Sequence, residues 1–166
     1  MAKTKEAGGV VTLRALATMR NKLRGVVLVG GAFDILHEGH IAHLMNAKRR
    51  GKTLVVLVVG NKRVREKKGV GKPVLDEKER ALIVAALRCV DYVFVYNGRH
   101  YDAEVITAVR PEVLFFNSED YTDEVRDVVA HLSPVPKVFV DKARKANSSS
   151  KIIDSIRKGG KTYGKV

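Results

Sequence analysis

The chain has 166 residues, 45% of them hydrophobic and 30% charged, a composition that suits one globular domain with a sizeable core and excludes a chain disordered throughout. Its formal charge of +13 implies an anionic partner such as nucleic acid, a phosphorylated metabolite or an acidic membrane surface, or else a solvated basic surface on a charge-rich, heat-stable protein. No apolar run reaches a membrane span and "MAKTKEAGGVV" lacks the apolar centre of a secretory signal, so a soluble, cytoplasmic protein is expected.

In chain order, residues 1–24 form an N-terminal helical extension. Its helix, Val11–Leu23, carries Leu13, Leu16, Met19 and Leu23 at three- to four-residue spacing, with Thr12 as a cap. "GVVLVGG" is a short buried strand, an unbroken apolar run bounded by glycine. "HIAHLMNAKRRG" is a helix with basic residues in its last turn and Gly51 as its C-cap. "TLVVLVVG" is the clearest strand. Asn61–Pro73, rich in Lys and Arg with two glycines, is expected to be a loop that adds nothing to the core. Asp76, with Glu79 three residues on, has the capping-box spacing for the helix "LDEKERALIVAAL". Cys89 is the only cysteine, which excludes an intramolecular disulfide and a thiolate metal cluster, and its apolar setting fits a small buried hydrophobe. "DYVFVY", "EVLFFN" and "KVFVDK" are three more strands. They alternate with the helices "YDAEVITAVR", ended by Pro111, "TDEVRDVVAHL" and "SSKIIDSIRK", and residues 159–166 make a flexible tail. Five strands separated by helices of about ten residues predict an α/β fold: a Rossmann-like, doubly wound five-stranded parallel sheet with helices on both faces, in one domain spanning 1–166.

Ligands of open parallel sheets bind beyond the strands' carboxyl ends, at the switch in strand order. "GGAFDILHEGH" follows the first strand there. Gly30 and Gly31 are expected to let the backbone approach a ligand and take strained angles. His37 and His40, with Gly39 between them, have the spacing that puts both imidazoles on one helix face. That helix's N-terminus already favours phosphate. Two plain helix caps are the simpler reading. A dinucleotide fingerprint is absent, and a metal site would want a third ligand that no Cys or H-E-x-x-H pattern supplies.

"GGAFDILHEGH" resembles the G-x-F-D-x-x-H-x-G-H signature of the cytidylyltransferase-like nucleotidylyltransferases. The likeness covers most of the chain and looks closest to the adenylyltransferase half of bacterial heptose-phosphate synthases. "VVTLRALATMRNKLRG" is similar to the helix before their first strand, and "KGVGKPVLDEKERALIVAALRCVDYVFVY" to their K-G-x-G-R-P-V stretch and the helix and strand after it. "NSSSKIIDSIRK" resembles their terminal serine/threonine motif at a helix start.

The resemblance implies a reaction in which ATP or CTP and a phosphorylated sugar or polyol give a nucleotide-diphospho product and pyrophosphate. It implies that His37 and His40 hold the triphosphate and stabilise the transition state, with Lys68 and Arg80 meeting phosphate and Lys72 meeting the acceptor. The backbone of Gly30, Gly31, Ala32, Phe33 and Gly39 would line the nucleotide site with Asn117 and Asp120, Asp34 would order the turn, and Ser148, Ser149 and Ser150 would bind the β- and γ-phosphates. Mg²⁺ is implied as cofactor, held by phosphate oxygens and water with no direct side-chain ligand, and so is a homodimer. His43 and His131 read as structural or exposed, and His100 has no assignment.

The chain departs from the heptose-type pattern at Asn117–Glu119, where those enzymes have Lys-Gly-Gly before Asp-Tyr, which leaves the base and the acceptor open. A glycerol-phosphate-type cytidylyltransferase and an adenylyltransferase of the flavin-nucleotide type remain alternatives, as does a regulatory module without turnover. A basic nucleic-acid-binding protein is disfavoured, because aromatics are only 6% of the chain and do not interleave with the basic residues.

Overall fold

The structure, a computed structural model, describes residues 9–133, 136–142 and 148–159. Strands β1 (Gly9–Val10), β2 (Val26–Gly31), β3 (Thr53–Val59), β4 (Tyr92–Tyr96), β5 (Val113–Asn117) and β6 (Lys137–Asp141) form one sheet. Its order is β1-β4-β3-β2-β5-β6, with every pair parallel. The sixth strand corrects the expected five: Gly9 and Val10 pair with Tyr92 and Val93 at the edge, a segment too short to show periodicity. From β2 the chain runs outward to β3 and β4, then returns to the other side of β2 as β5 and β6. The switch in strand order therefore lies between β2 and β5.

Alternation along the strands divides the core between two faces. Val27, Val29, Leu54, Val56 and Val58 point to the side covered by helices α2 (Glu38–Lys48) and α4 (Glu77–Ala85). Val26, Leu28, Val55 and Leu57 point to the side covered by α1 (Leu13–Met19), α5 (Ala103–Val109) and α6 (Asp123–Ala130). A strand buried on both faces has no polar alternation, which is why β2 and β3 read as unbroken apolar runs. Cys89 packs, half-buried, against the first of these clusters.

Helix α3 (Asn61–Lys68) overturns the loop expected over Asn61–Pro73. Val64, 2% exposed, and the hydrogen bonds of Asn61 to Glu77, Asp76 and Arg80 dock it, while most of the charged side chains around them reach solvent. Arg65, Lys67 and Lys68 fill the last turn, where the helix dipole favours cations. Only from Gly69, at φ +84°, does the chain leave the helix. The capping box at Asp76 and Glu79 forms as the spacing predicts. The last helix, α7 (Ser149–Arg157), follows β6. The expected tail lies outside the described residues beyond Gly159, as do residues 1–8 of the N-terminal extension. Among the described residues no helix is long and apolar enough to cross a membrane.

Candidate functional site

The turn after β2 carries strain, though not at the glycines expected to take it. Phe33 and Ile35 have φ of +48° and +50°, a region that a β-branched residue such as Ile35 rarely enters. Gly30 and Gly31 remain in the strand and serve by having no Cβ. One at Gly30 would come within 2.4 Å of His100 Nδ1, and one at Gly31 within 2.8 Å of the Phe33 ring.

Asp34, 2% exposed, holds the turn between the two strained residues. Its carboxylate accepts the N–H of Val74 through both oxygens at 3.0 Å and that of Leu75 at 3.1 Å. Its carbonyl accepts from the Ser149 hydroxyl at the start of α7. The ordering role expected of Asp34 thus extends to two distant segments.

His37 is the N-cap of α2, its Nδ1 accepting from Gly39 N–H at 3.2 Å. With Nδ1 as acceptor, the neutral ring carries its proton on Nε2. His40 stacks on His37 with ring centroids 3.8 Å apart and 26° between planes, and Phe33 abuts His40 edge-on at 5.4 Å. Both imidazoles therefore lie on one face of α2 beside its N-terminal amides, the combination that suits an anion. His43 lies apart: it pairs with Asp141 at 3.2 Å and packs on Phe115. His131 bonds the Asp127 carbonyl on the exposed side of α6.

Arg80, which the resemblance implies would meet phosphate, is fully buried. Its guanidinium donates to the carbonyls of Leu75 (3.0 Å), Val59 (2.9 Å) and Ala32, and to Asn61 Oδ1 (2.8 Å). Burial pushes its pKa down, against the nearby Asp34, Glu77 and Asp76 charges. Its donors tie the strained turn to β3 and to the start of α3.

The other expected residues fall into four places. Ser148 caps α7 by accepting from Lys151 N–H, Ser149 reaches Asp34, and Ser150 is exposed. Asn117 closes its own turn, its Oδ1 accepting from the N–H groups of Glu119 and Asp120 at 2.9 Å and its Nδ2 donating to Asp120. Lys68 and Lys72 are separated. Lys68, at the end of α3, lines a cavity of about 420 Å³ that opens beside Gly30, Gly31 and Ala32. Lys72, its Nζ buried, lines a second one with Asn61, Arg65 and Asp76.

Beside Asp120, which the resemblance named, the first cavity contains residues that sequence reasoning passed over. Arg63 and Lys67 join Lys68 along α3, Glu119, Asp120 and Glu124 face it from the β5–α6 side, and His100 and Arg99 come from the turn before α5. Read as a helix, Asn61–Lys68 would have put Arg63 and Lys67 on one face by their spacing of four. No local pattern marks His100. Among the described residues, no cluster of three His, Cys, Asp or Glu is placed to hold a metal.

Residues 28–155 match the family described as cytidylyltransferase-like. The chain belongs to that family. Membership places it among the nucleotidyltransferase enzymes. It is 36% identical over 147 residues to the bifunctional protein HldE of Desulfatibacillum aliphaticivorans, covering 87% of this chain and 29% of that protein. To HldE of Methylococcus capsulatus it is 35% identical over 158 residues, covering 91% and 33%. The chain thus spans about a third of the length of the curated relatives it matches. Among solved structures, a lipopolysaccharide core biosynthesis protein from Thermoplasma volcanium superposes with a TM-score of 0.64 at 25% identity, covering 74% of this chain and all of that one. Pantoate-beta-alanine ligase from Francisella tularensis, at 15% identity and a TM-score of 0.63 over 91% of this chain and 77% of that one, shares the fold.

Proposed function

We propose that the chain is a nucleotidylyltransferase that transfers AMP from ATP to the phosphate of a sugar phosphate of the heptose type, releasing pyrophosphate. The observation that carries this reading is the convergence on one turn of the stacked His37–His40 pair, the α2 N-terminus and the Ser149 end of α7. A cavity with a basic wall opens beside the same turn. ATP is preferred over CTP because the HldE relatives carry an adenylyltransferase domain.

In the reaction an acceptor phosphate oxygen attacks the α-phosphorus in line. The new O–P bond forms as the bond to the bridging oxygen breaks, and that oxygen leaves with the pyrophosphate. Charge grows on the leaving group and on the non-bridging oxygens, and fixed donors aimed there lower the barrier. Imidazole N–H groups and the α2 amides are such donors, and the buried ties of Asp34 and Arg80 hold the turn still while they act. Mg²⁺ is part of the proposal and supplies charge neutralisation on the triphosphate. A donor set without a carboxylate cage fits an ion held by phosphate oxygens and water. A homodimer and a cytoplasmic location complete the proposal.

Pyrophosphate release, measured across ATP, CTP, GTP and UTP with a panel of phosphorylated sugars and polyols, tests the reading. His40→Ala is expected to reduce turnover by about 10²–10³-fold, as loss of a transition-state donor does elsewhere. A His40→Ala protein as active as the parent would sink it.

A further inference from the structure

The reaction described above leaves His100 unused, although it stands in the wall of the cavity beside the histidine turn. The residue is 8% exposed. Its ring lies against Gly30 so closely that any Cβ there would collide with it. Phe116 at 4.5 Å and Tyr101 at 5.3 Å fix the ring plane. Despite this enclosure its Nε2 has no hydrogen-bond partner among the described residues. A buried polar atom left in that condition costs stability, and packing alone would be served as well by phenylalanine. Burial also holds the imidazole neutral, with its pKa down near 4. A neutral imidazole offers one N–H and one lone pair, which suits a hydroxyl better than a phosphate.

The cavity around it is bipolar. Arg63, Lys67 and Lys68 line it from α3, and Glu119, Asp120 and Glu124 from the β5–α6 side, with Lys67 Nζ 4.0 Å from Asp120 Oδ1. Arg99, nearest His100 in sequence, is committed to Asp102 at 2.8 Å. A ligand with a phosphate at one end and hydroxyls along the rest matches this division, phosphate against α3 and hydroxyls toward the carboxylates and His100.

We propose that His100 is a specificity-determining residue that receives a hydroxyl of the phosphorylated polyhydroxy acceptor. The inference rests on the transferase reading for its acceptor, yet it concerns binding and so has its own test. Calorimetry with a heptose 1-phosphate and its monodeoxy analogues, in the presence of a non-hydrolysable ATP analogue, reads affinity without turnover. The wild-type protein is expected to bind one monodeoxy analogue about 10–100-fold more weakly than the parent. In His100→Phe the two affinities should converge to within about threefold, with binding of the ATP analogue unchanged. His100→Gln, which keeps a donor and an acceptor, should restore part of the discrimination. Should His100→Phe fail to fold, His100→Gln serves alone, and it must alter discrimination at that one hydroxyl.

Unaltered discrimination in the variants, or equal loss for parent and analogue, would reduce His100 to packing and overturn the proposal. So would the absence of any sugar-phosphate binding by the wild type. Discriminating binding without pyrophosphate release would sink the transferase reading and leave the role of His100 standing.

Discussion

Arg80→Met removes the guanidinium from a site with no solvent and keeps most of its length. Four hydrogen bonds disappear, to the carbonyls of Leu75, Val59 and Ala32 and to Asn61 Oδ1. Each stranded carbonyl costs about 1–3 kcal/mol where water cannot reach it. One term runs the other way. A buried guanidinium without a carboxylate at hydrogen-bond distance is itself destabilising by several kcal/mol, and methionine relieves that. The relief is incomplete because the carbonyls belong to the backbone and cannot be replaced along with their donor. A net loss of about 3–5 kcal/mol follows, the range seen when one partner of a buried charged set is removed. Against a total stability of about 5–15 kcal/mol this is a large fraction. Urea unfolding should show a lower midpoint at unchanged slope, with Arg80→Lys between the two proteins. A variant with the parent's midpoint and a collapsed turnover number would refute the reasoning. It would mean that the guanidinium spends its donors on phosphate and not on the chain.

Gly30→Ala should destabilise the fold because its Cβ meets the His100 side chain at 2.4–2.8 Å. Combining it with His100→Ala should recover about 1–3 kcal/mol in a double-mutant cycle read by thermal unfolding. The His100 pKa, near 4 in the fold and 6.5 for the free group, gives a pH dependence of defined sign. Between those values the unfolded chain takes up a proton that the fold does not, so stability is full above pH 6.5 and falls toward pH 4. The fall amounts to about 3 kcal/mol, and urea titrations at a series of pH values should show it missing in His100→Phe. Asp34→Asn puts an amide opposite two N–H groups, those of Val74 and Leu75, and should cost about 2–3 kcal/mol by thermal unfolding.

The order of strands and helices was legible because long apolar runs and capping signals act locally. Thr12, Asp76 and Ser148 each cap the helix their sequence announces. The same locality explains the errors. Helix α3 has a single buried apolar residue, Val64, so periodicity had nothing to register, and tertiary docking decided its conformation. Strand β1 owes its existence to a neighbour more than eighty residues away, Tyr92. At the site, "GGAFDILHEGH" gave the histidine pair and its helix end. The partners of Arg80 and the placement of His100 depend on contacts across the sheet. Nothing in the helix pattern around position 80 marks its arginine as buried, and only the fold turns it inward.

The strained turn is where these long-range contacts meet, which bears on why it stays strained. Two residues in the left-handed region cost on the order of 1–3 kcal/mol each, and such a turn persists only if its surroundings over-determine it. Here they do. The Asp34 carboxylate fixes the turn to Val74–Leu75, the Ala32 carbonyl is held by Arg80, and the Asp34 carbonyl is held by Ser149. Each tie comes from a different segment, so the position of His37 and His40 depends on α4 and α7 as much as on α2. The cavity and the histidine face share this turn as their common wall through Gly30, Gly31 and Ala32. A substitution that loosens any one tie should therefore disturb triphosphate and acceptor together, raising both KM values, whereas one at His100 should touch the acceptor alone.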